Sequence, residues 1–277
     1  MPAETTSNYF QTYLNQPPFQ DLVVTTNGDQ QLLQPEIQAY LYEEERNSRI
    51  NEICKHDLTH IHRATRNGLV LLDLLQTNPI AADITPDQVT TTLALHDIGY
   101  GSNNLLARRY HVRGHEKESW NIVTKLAQTL SPDNATRQCI EDPHNLIRAG
   151  ILGTAKNYRK IIRDAIDHPN SNNLFALLIA AADKTDYFVR DRVEHLTSPQ
   201  YMKNPYHTLA HAVNTYDLEI NSHEQTLTYT ANLHKSEPFF ENPALWQRYA
   251  EECFPQVFGL LEAVANIAGY RFVVDVQ

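Results

Sequence analysis

The chain has 277 residues, of which 42% are hydrophobic and 20% are charged, so it is long enough for one large globular domain or for one domain with an appendage. The formal net charge of −10 disfavours a nucleic-acid-binding module, because phosphate backbones attract basic surfaces; a small phosphorylated substrate stays compatible where a metal ion inverts the local charge. The three cysteines, Cys54, Cys139 and Cys253, are odd in number and widely spaced, which argues against a disulfide framework and a thiolate zinc site.

The N-terminal segment, residues 1–35, is polar and rich in Gln, Asn and Thr, and we expect it to form a peripheral arm. It has neither a basic stretch nor an apolar run, so we expect no signal peptide. A helical pattern begins at Pro35. The next predicted helix covers residues 60–76, where apolar residues recur every three to four positions.

A further helix is predicted to begin at Thr85, which is a suitable N-cap residue. Pro86 suits the first helical position, and Gln88 completes a capping box. This helix leads into His96-Asp97 and is expected to stop at the glycines that follow. Another amphipathic helix is predicted at 115–130, and a shorter helical stretch at 133–147.

The most apolar segment of the chain is predicted to be its central buried helix, from Asn172 to Arg192, because the first half is apolar all round. Its longest apolar run, 174–182, is too short to cross a bilayer. We therefore expect a cytoplasmic protein that does not bind a membrane.

The C-terminal part changes character. Residues 218–233 alternate apolar and polar side chains about a polar turn, which predicts an antiparallel hairpin. A helical stretch follows at 243–269, capped by Gly269, and a strand closes the sequence. The predicted fold class is mainly α, with a helical core at 36–196 and a small α+β extension at 197–277.

His96 and Asp97 directly follow an apolar helical stretch, where polar groups are costly to bury without partners. Metal coordination would satisfy them, and a capping Asp beside a polar His at a helix end is the alternative. Asp183 follows another buried run, so its carboxylate needs a cation or several donors. Lys184 would provide a structural ion pair, although adjacent helix positions do not face each other.

Further histidines lie in the same helical region. His60 shares a helix face with Arg63, three residues later. His115 begins an amphipathic helix, and His144 lies in a shorter helical stretch. Each is, by itself, more often a surface or core histidine than a ligand, but their joint occurrence indicates a metal site.

The order H…HD…H…H…D is similar to that of the HD-domain superfamily of metal-dependent phosphohydrolases. The resemblance spans residues 52–190 and implies an HD-domain helical bundle. Its ligands, carried over by position, are His60, His96, Asp97, His115, His144 and Asp183. Members with only the first ligand, the pair and the last ligand bind one metal, so the two additional histidines imply two divalent ions, of Mn, Fe, Mg, Co, Ni or Zn, bridged by Asp97.

The resemblance also implies an activity, namely cleavage of a phosphate ester of a nucleotide or a similar small metabolite by a metal-bound hydroxide. Asp97 would be catalytic as the bridging ligand, and Arg63 and Lys184 would neutralise the transferring phosphate. Two departures limit the choice of substrate. Residues 96–99 read His-Asp-Ile-Gly, and Tyr100 stands where many members have a Lys directly after this motif. Asn145 stands where cyclic-dinucleotide hydrolases have a second His.

Two other functions are compatible with the same ligands: a di-iron oxygenase of the superfamily, and a non-catalytic metal-binding sensor in which Tyr100 marks lost activity. The polar loop at 99–114 is a candidate lid. In the C-terminal extension, Phe239, Phe240 and Trp246 fit either core packing or a homodimer interface.

Overall fold

In a computed structural model, the chain is described at residues 58–101, 114–130, 145–154, 157–194, 196, 203–235 and 238–277. The predicted arm at 1–35 lies outside these residues, as do most of the helical stretch at 133–147 and most of the candidate lid. The described part is mainly helical, with a small sheet near the C-terminus. This agrees with the predicted fold class at the level of helix and strand content.

The helices are α1 (Leu58–Leu75), α2 (Pro86–Leu95), α3 (His115–Leu130), α4 (Leu146–Thr154), α5 (Tyr158–Asp167), α6 (Ser171–Thr185), α7 (Pro205–Ala212), α8 (Pro243–Cys253) and α9 (Pro255–Ile267). The strands are β1 (Val213–Asn221), β2 (Thr226–Leu233) and β3 (Arg271–Val276). None of the described helices has the length and hydrophobicity that a membrane span requires.

The start of α2 confirms the predicted capping box. The Thr85 side chain accepts a hydrogen bond from the Gln88 backbone nitrogen at 3.3 Å, and the Gln88 side chain accepts one from the Thr85 backbone nitrogen at 2.9 Å. Pro86 occupies the first turn, and His96 is the C-cap residue. The capping box fixes the start of α2, and the ten-residue length of the helix then places the His96-Asp97 pair at its C-terminal end.

Helix α6 is the central buried helix, as predicted, since every residue from Leu174 to Asp183 is buried. The predicted end at Arg192 is wrong, because α6 ends at Thr185. The Asp186 backbone nitrogen donates to the Asp183 carbonyl at 3.3 Å, a tighter turn than the α-helix, and the Asp186 side chain is held by contacts from other elements. The residues that directly follow Thr185 include no glycine or proline that would predict this helix end.

The C-terminal hairpin is confirmed as an antiparallel pair, β1 with β2. Strand β3 adds to the free edge of β2 in the parallel direction, so the order is β1-β2-β3. The single helical stretch predicted at 243–269 is two helices, because Pro255 cannot continue α8 and Phe254 is non-helical, with φ −134° and ψ 54°. Gly269 has φ +80°, which suits its predicted place after the helix end.

One hydrophobic cluster extends through the helical core and the C-terminal extension. Phe188, which follows α6, makes an edge contact with the ring of Trp246 from α8, with centroids 5.5 Å apart. Trp246 is fully buried and donates to the Leu209 carbonyl at 3.0 Å, whereas Phe240 is exposed. The predicted boundary near residue 196 therefore does not interrupt the core, and Trp246 belongs to that core.

Candidate metal centre

Four buried polar side chains from three helical segments converge at one point. Each offers one imidazole nitrogen or carboxylate oxygen, and these atoms lie within 4.8 Å of one another in His60, His96, Asp97 and Asp183. None of the four residues is more than 5% exposed. Such a group could hold a metal ion, because imidazole and carboxylate are the usual ligands of divalent first-row metals.

Helix ends position the four side chains. His60 lies in the first turn of α1, Asp183 lies in the last turn of α6, and the His96-Asp97 pair directly follows α2. Helices α1 and α2 approach closely at Gly68, where a Cβ atom would lie only 2.6 Å from Leu93 Cδ1. The absence of a side chain at position 68 therefore lets α1 approach α2, which helps to bring His60 close to His96 and Asp97 (the HD pair).

The separations within the group suit a shared metal ion. Asp97 Oδ2 lies 3.1 Å from His96 Nε2 and 3.5 Å from His60 Nε2, and Asp183 Oδ1 lies 3.5 Å from each of the same nitrogens. Ligands at about 2.1 Å from a common ion are roughly 3–3.5 Å apart. His96 Nε2 is buried and has no hydrogen-bond partner in the described part of the chain, so a metal ion would satisfy this nitrogen better than the two nearby carboxylates do.

The other ring nitrogens of the two histidines are held by the protein. His96 Nδ1 lies 2.8 Å from the Leu93 carbonyl oxygen, which can only accept a hydrogen bond. His60 Nδ1 lies 2.7 Å from Asp186 Oδ2. Nδ1 is thus the natural site of the proton in the neutral form of each ring, and Nε2 would then be the nitrogen that binds a metal ion, as in known metal-binding histidines.

His115 approaches the opposite side of Asp97. Its Nε2 atom lies 3.2 Å from Asp97 Oδ1, and its side chain is 15% exposed. Asp97 Oδ2 faces His60 and His96, so one oxygen of this carboxylate faces two histidines and the other faces His115. That arrangement is the one a bridging carboxylate requires.

Ser119 fastens α3 to the turn that carries the HD pair. Its hydroxyl donates to the His96 carbonyl at 2.7 Å and accepts from the Gly99 backbone nitrogen at 2.9 Å. A Cβ atom at Gly99 would lie 2.1 Å from the His115 carbonyl oxygen. The glycine after the HD pair therefore permits the start of α3, and with it His115, to lie against the turn.

Glu116 also lies at the site, although it was not among the predicted ligands. This residue is 6% exposed, and its Oε1 atom lies 3.4 Å from His115 Nε2. The available signal was its position in the first turn of a helix, directly after a predicted ligand. Asp186 was not among the predicted site residues either; the available signal was an acidic residue three positions after Asp183, just past the end of a buried helix.

The two cations predicted to contact phosphate are both engaged within the protein. Arg63 forms hydrogen bonds through Nε to Asp186 and through Nη1 to Asp191, the latter at 3.1 Å. Lys184 Nζ donates to Asp183 Oδ2 at 2.6 Å. The ion pair with Lys184, the alternative that the helix spacing disfavours, is therefore present, because the long Lys184 side chain folds back to the adjacent carboxylate.

The electrostatics favour charged forms inside the group. Burial opposes ionisation of Asp183, but the Lys184 ammonium and His96 hold its pKa well below the usual range. Burial likewise opposes protonation of His96, yet the carboxylates of Asp97 and Asp183 raise its pKa well above the usual value. The site thus attracts positive charge, which is the electrostatic condition for binding a cation.

His144, the remaining ligand implied by the family resemblance, lies outside the described residues, and so do His56 and His111. His62, on α1, points to solvent. His207, in the extension, is buried but does not belong to the four-residue group. The structure therefore brings five of the six predicted ligands together, four of them in the compact group and His115 beside Asp97.

A comparison of the chain with protein-family models, with curated proteins and with solved structures finds no match. The functional argument consequently depends on the residue pattern and on the geometry of this site.

Proposed function

We propose that the chain is a metal-dependent phosphohydrolase of the HD-domain type, which cleaves a phosphate ester of a nucleotide or of a similar small metabolite. One observation carries the proposal: the buried group of His60, His96, Asp97 and Asp183. These four residues follow the chain order H…HD…D of that superfamily. They also meet in space with the separations that a shared divalent ion requires.

We propose a two-metal site. Support comes from Asp97, whose Oδ2 faces His60 and His96 while its Oδ1 faces His115. His60, His96 and Asp183 would hold the first ion, and His115 with His144 would hold the second.

A divalent metal in such a site supplies Lewis acidity toward phosphoryl oxygens and lowers the pKa of a bound water molecule. The protein's own residues provide the setting for that chemistry. The Nδ1 hydrogen bonds of His60 and His96 fix both rings, and burial keeps bulk water away from Asp97 and Asp183. Charged groups interact more strongly in such a desolvated site than in water.

Lys184 is the better of the two candidate phosphate contacts. Its side chain is 33% exposed while its ammonium lies 2.6 Å from Asp183 Oδ2, so it is next to the group and accessible to a substrate. Arg63 makes three hydrogen bonds to Asp186 and Asp191. We assign Arg63 the role of holding Asp186 in place, with phosphate neutralisation left to Lys184.

Metal content and phosphatase activity test this proposal together. Protein purified without chelator would be analysed for bound metal and screened for phosphate release from nucleotides and phosphorylated metabolites with added Mn, Co or Mg. His60→Ala is the informative variant. The matched control is His62→Ala, since His62 lies on the same helix but is exposed.

We expect about two metals per chain and phosphate release in the wild type and in His62→Ala. His60→Ala should lose the first ion and, with it, the phosphate release. Two bound irons without phosphate release would favour the di-iron oxygenase over the hydrolase. Bound metal with no turnover under any condition would indicate a sensor. Absence of bound metal in the wild type would refute the metal site itself.

A further inference from the structure

Asp186 is the centre of a buried hydrogen-bond network behind His60. The carboxylate is fully buried, its Oδ2 lies 2.7 Å from His60 Nδ1, and its Oδ1 accepts from the Tyr216 hydroxyl at 3.1 Å. Arg63 also donates to both oxygens, and Arg192 Nη1 lies 3.7 Å from Oδ2. Burial opposes ionisation of Asp186, but the hydrogen bond with His60 and the charges of Arg63 and Arg192 keep the pKa of its carboxyl group below the usual value.

The direction of the Tyr216 hydrogen bond is fixed by Asn67. The Asn67 Nδ2 group lies 3.4 Å from the Ala182 carbonyl oxygen, which can only accept, so the amide faces this side with its N–H groups. The same group donates to the Tyr216 hydroxyl oxygen at 2.7 Å. The hydroxyl hydrogen of Tyr216 is therefore directed at Asp186, and burial together with the Asp186 charge raises the pKa of Tyr216 well above its usual value.

This network joins two parts of the chain. Asp186 follows α6 in the helical core, whereas Tyr216 is a residue of β1 in the C-terminal extension. A carboxylate that accepts from Nδ1 of a metal-binding histidine orients the ring, fixes its tautomer and raises its basicity.

On the basis of the proposed metal site, we infer that Asp186 and Tyr216 are positioning residues for the ligand His60. Through Tyr216, the C-terminal hairpin therefore helps to form the metal centre. Asp186 holds the ring through Nδ1 so that Nε2 faces Asp97 and Asp183. Tyr216, in turn, fixes the rotation of the Asp186 carboxylate. The extension thus does more than cover the core.

Tyr229 provides a matched control for Tyr216. Its ring is stacked on that of Tyr216, with centroids 5.5 Å apart and an interplanar angle of 18°, and it lies on the neighbouring strand β2. Both rings are buried, but the Tyr229 hydroxyl has no hydrogen-bond partner among the residues that the structure describes. Removing either hydroxyl changes the same small volume in the same sheet, and only Tyr216→Phe breaks the link to Asp186.

The experiment is a Co²⁺ titration of the whole 277-residue chain after its metal has been removed with a chelator. The visible absorption band of bound Co²⁺ is followed for the wild type, Tyr216→Phe, Tyr229→Phe and Asp186→Asn. Urea unfolding of the metal-free proteins runs in parallel and separates lost stability from lost positioning. We expect Co²⁺ affinity to fall about tenfold in Tyr216→Phe and about 10–100-fold in Asp186→Asn. Tyr229→Phe should bind as the wild type does, and the band should shift in Asp186→Asn.

Wild-type affinity in Tyr216→Phe, or an equal loss in Tyr229→Phe, would overturn the inference while leaving the proposed metal site intact. Failure of the wild type to bind Co²⁺, Mn²⁺ or Zn²⁺ would instead overturn the proposed function, and the inference with it. If Asp186→Asn does not fold, the comparison of the two tyrosine variants decides the question.

Discussion

Replacing Gly68 with alanine tests how closely α1 and α2 must approach for the metal centre to form. A Cβ atom at position 68 would lie 2.6 Å from Leu93 Cδ1 and 2.8 Å from Val89 Cγ1. Both neighbours belong to α2, which leads directly into His96 and Asp97. An added methyl group therefore pushes the HD pair away from His60, which lies on the same helix as Gly68.

Two opposing effects set the size of the change. Overpacking a core costs about 1–3 kcal/mol, whereas exchanging a glycine for alanine inside a helix gains about 1 kcal/mol. The balance predicts a loss of about 1 kcal/mol in the free energy of unfolding for Gly68→Ala. We also expect a weaker affinity for metal, because the displaced group is the ligand set.

Gly259 in α9 supplies the matched control, since a Cβ atom there would meet nothing closer than 3.7 Å. Gly259→Ala should therefore gain about 0.5–1 kcal/mol and leave metal affinity unchanged. Urea unfolding of both metal-free variants and a Co²⁺ titration provide the two measurements. The reasoning is refuted if Gly68→Ala is as stable as Gly259→Ala and binds metal as the wild type does.

Three further predictions address the charges around the site. Lys184→Met should tighten metal binding, because the Lys184 ammonium competes with the metal ion for Asp183. The same change should raise the KM for a phosphorylated substrate. Calorimetric titration measures the metal affinity and steady-state kinetics measures the KM; a change of the same sign in the affinities for metal and for substrate would contradict the assignment. His115→Ala should lower the metal content from about two per chain to about one, because His115 faces the second oxygen of Asp97; elemental analysis measures this, and an unchanged content would remove His115 from the ligand set. Because the pKa of Asp186 is lower in the folded protein than in the unfolded chain, its ionised carboxylate stabilises the folded state. This stabilisation is fully present above the unfolded-state pKa of about 4 and is lost as the pH falls through the lower folded-state pKa. The difference in unfolding free energy between the metal-free wild type and Asp186→Asn should consequently shrink in acid, and a difference that is constant from pH 7 to pH 3 would be evidence against this role.

The parts of the site that the sequence predicted are those with local signals. Thr85 and Gln88 define the start of α2 through a capping box that needs no long-range contact. Asp183 stands out because an ionised group at the end of an apolar run demands a partner. His60, His96 and Asp97 were predicted as ligands because their order along the chain is similar to the ligand order of the HD-domain superfamily.

The remaining features depend on contacts between distant residues. Asp186 bonds to His60 across 126 positions, and nothing near Asp186 in the sequence indicates that partner. Asp186 is also the C-cap residue of α6, which ends at Thr185 without a glycine or proline. The interruption at Pro255, by contrast, had a local signal, and the prediction of one continuous helix there disregarded it.

The joining of core and hairpin through Asp186 has a consequence for how the protein folds. The groups that surround His60 extend along the chain as far as Tyr216, so closing the network requires long loops to lose much of their conformational entropy. During synthesis, which proceeds from the N-terminus, helices α1, α2 and α6 can pair before β1 has emerged, but Asp186 then lacks its tyrosine. We therefore expect full metal affinity to appear only after the hairpin has docked, which makes ion uptake a late marker of the native state.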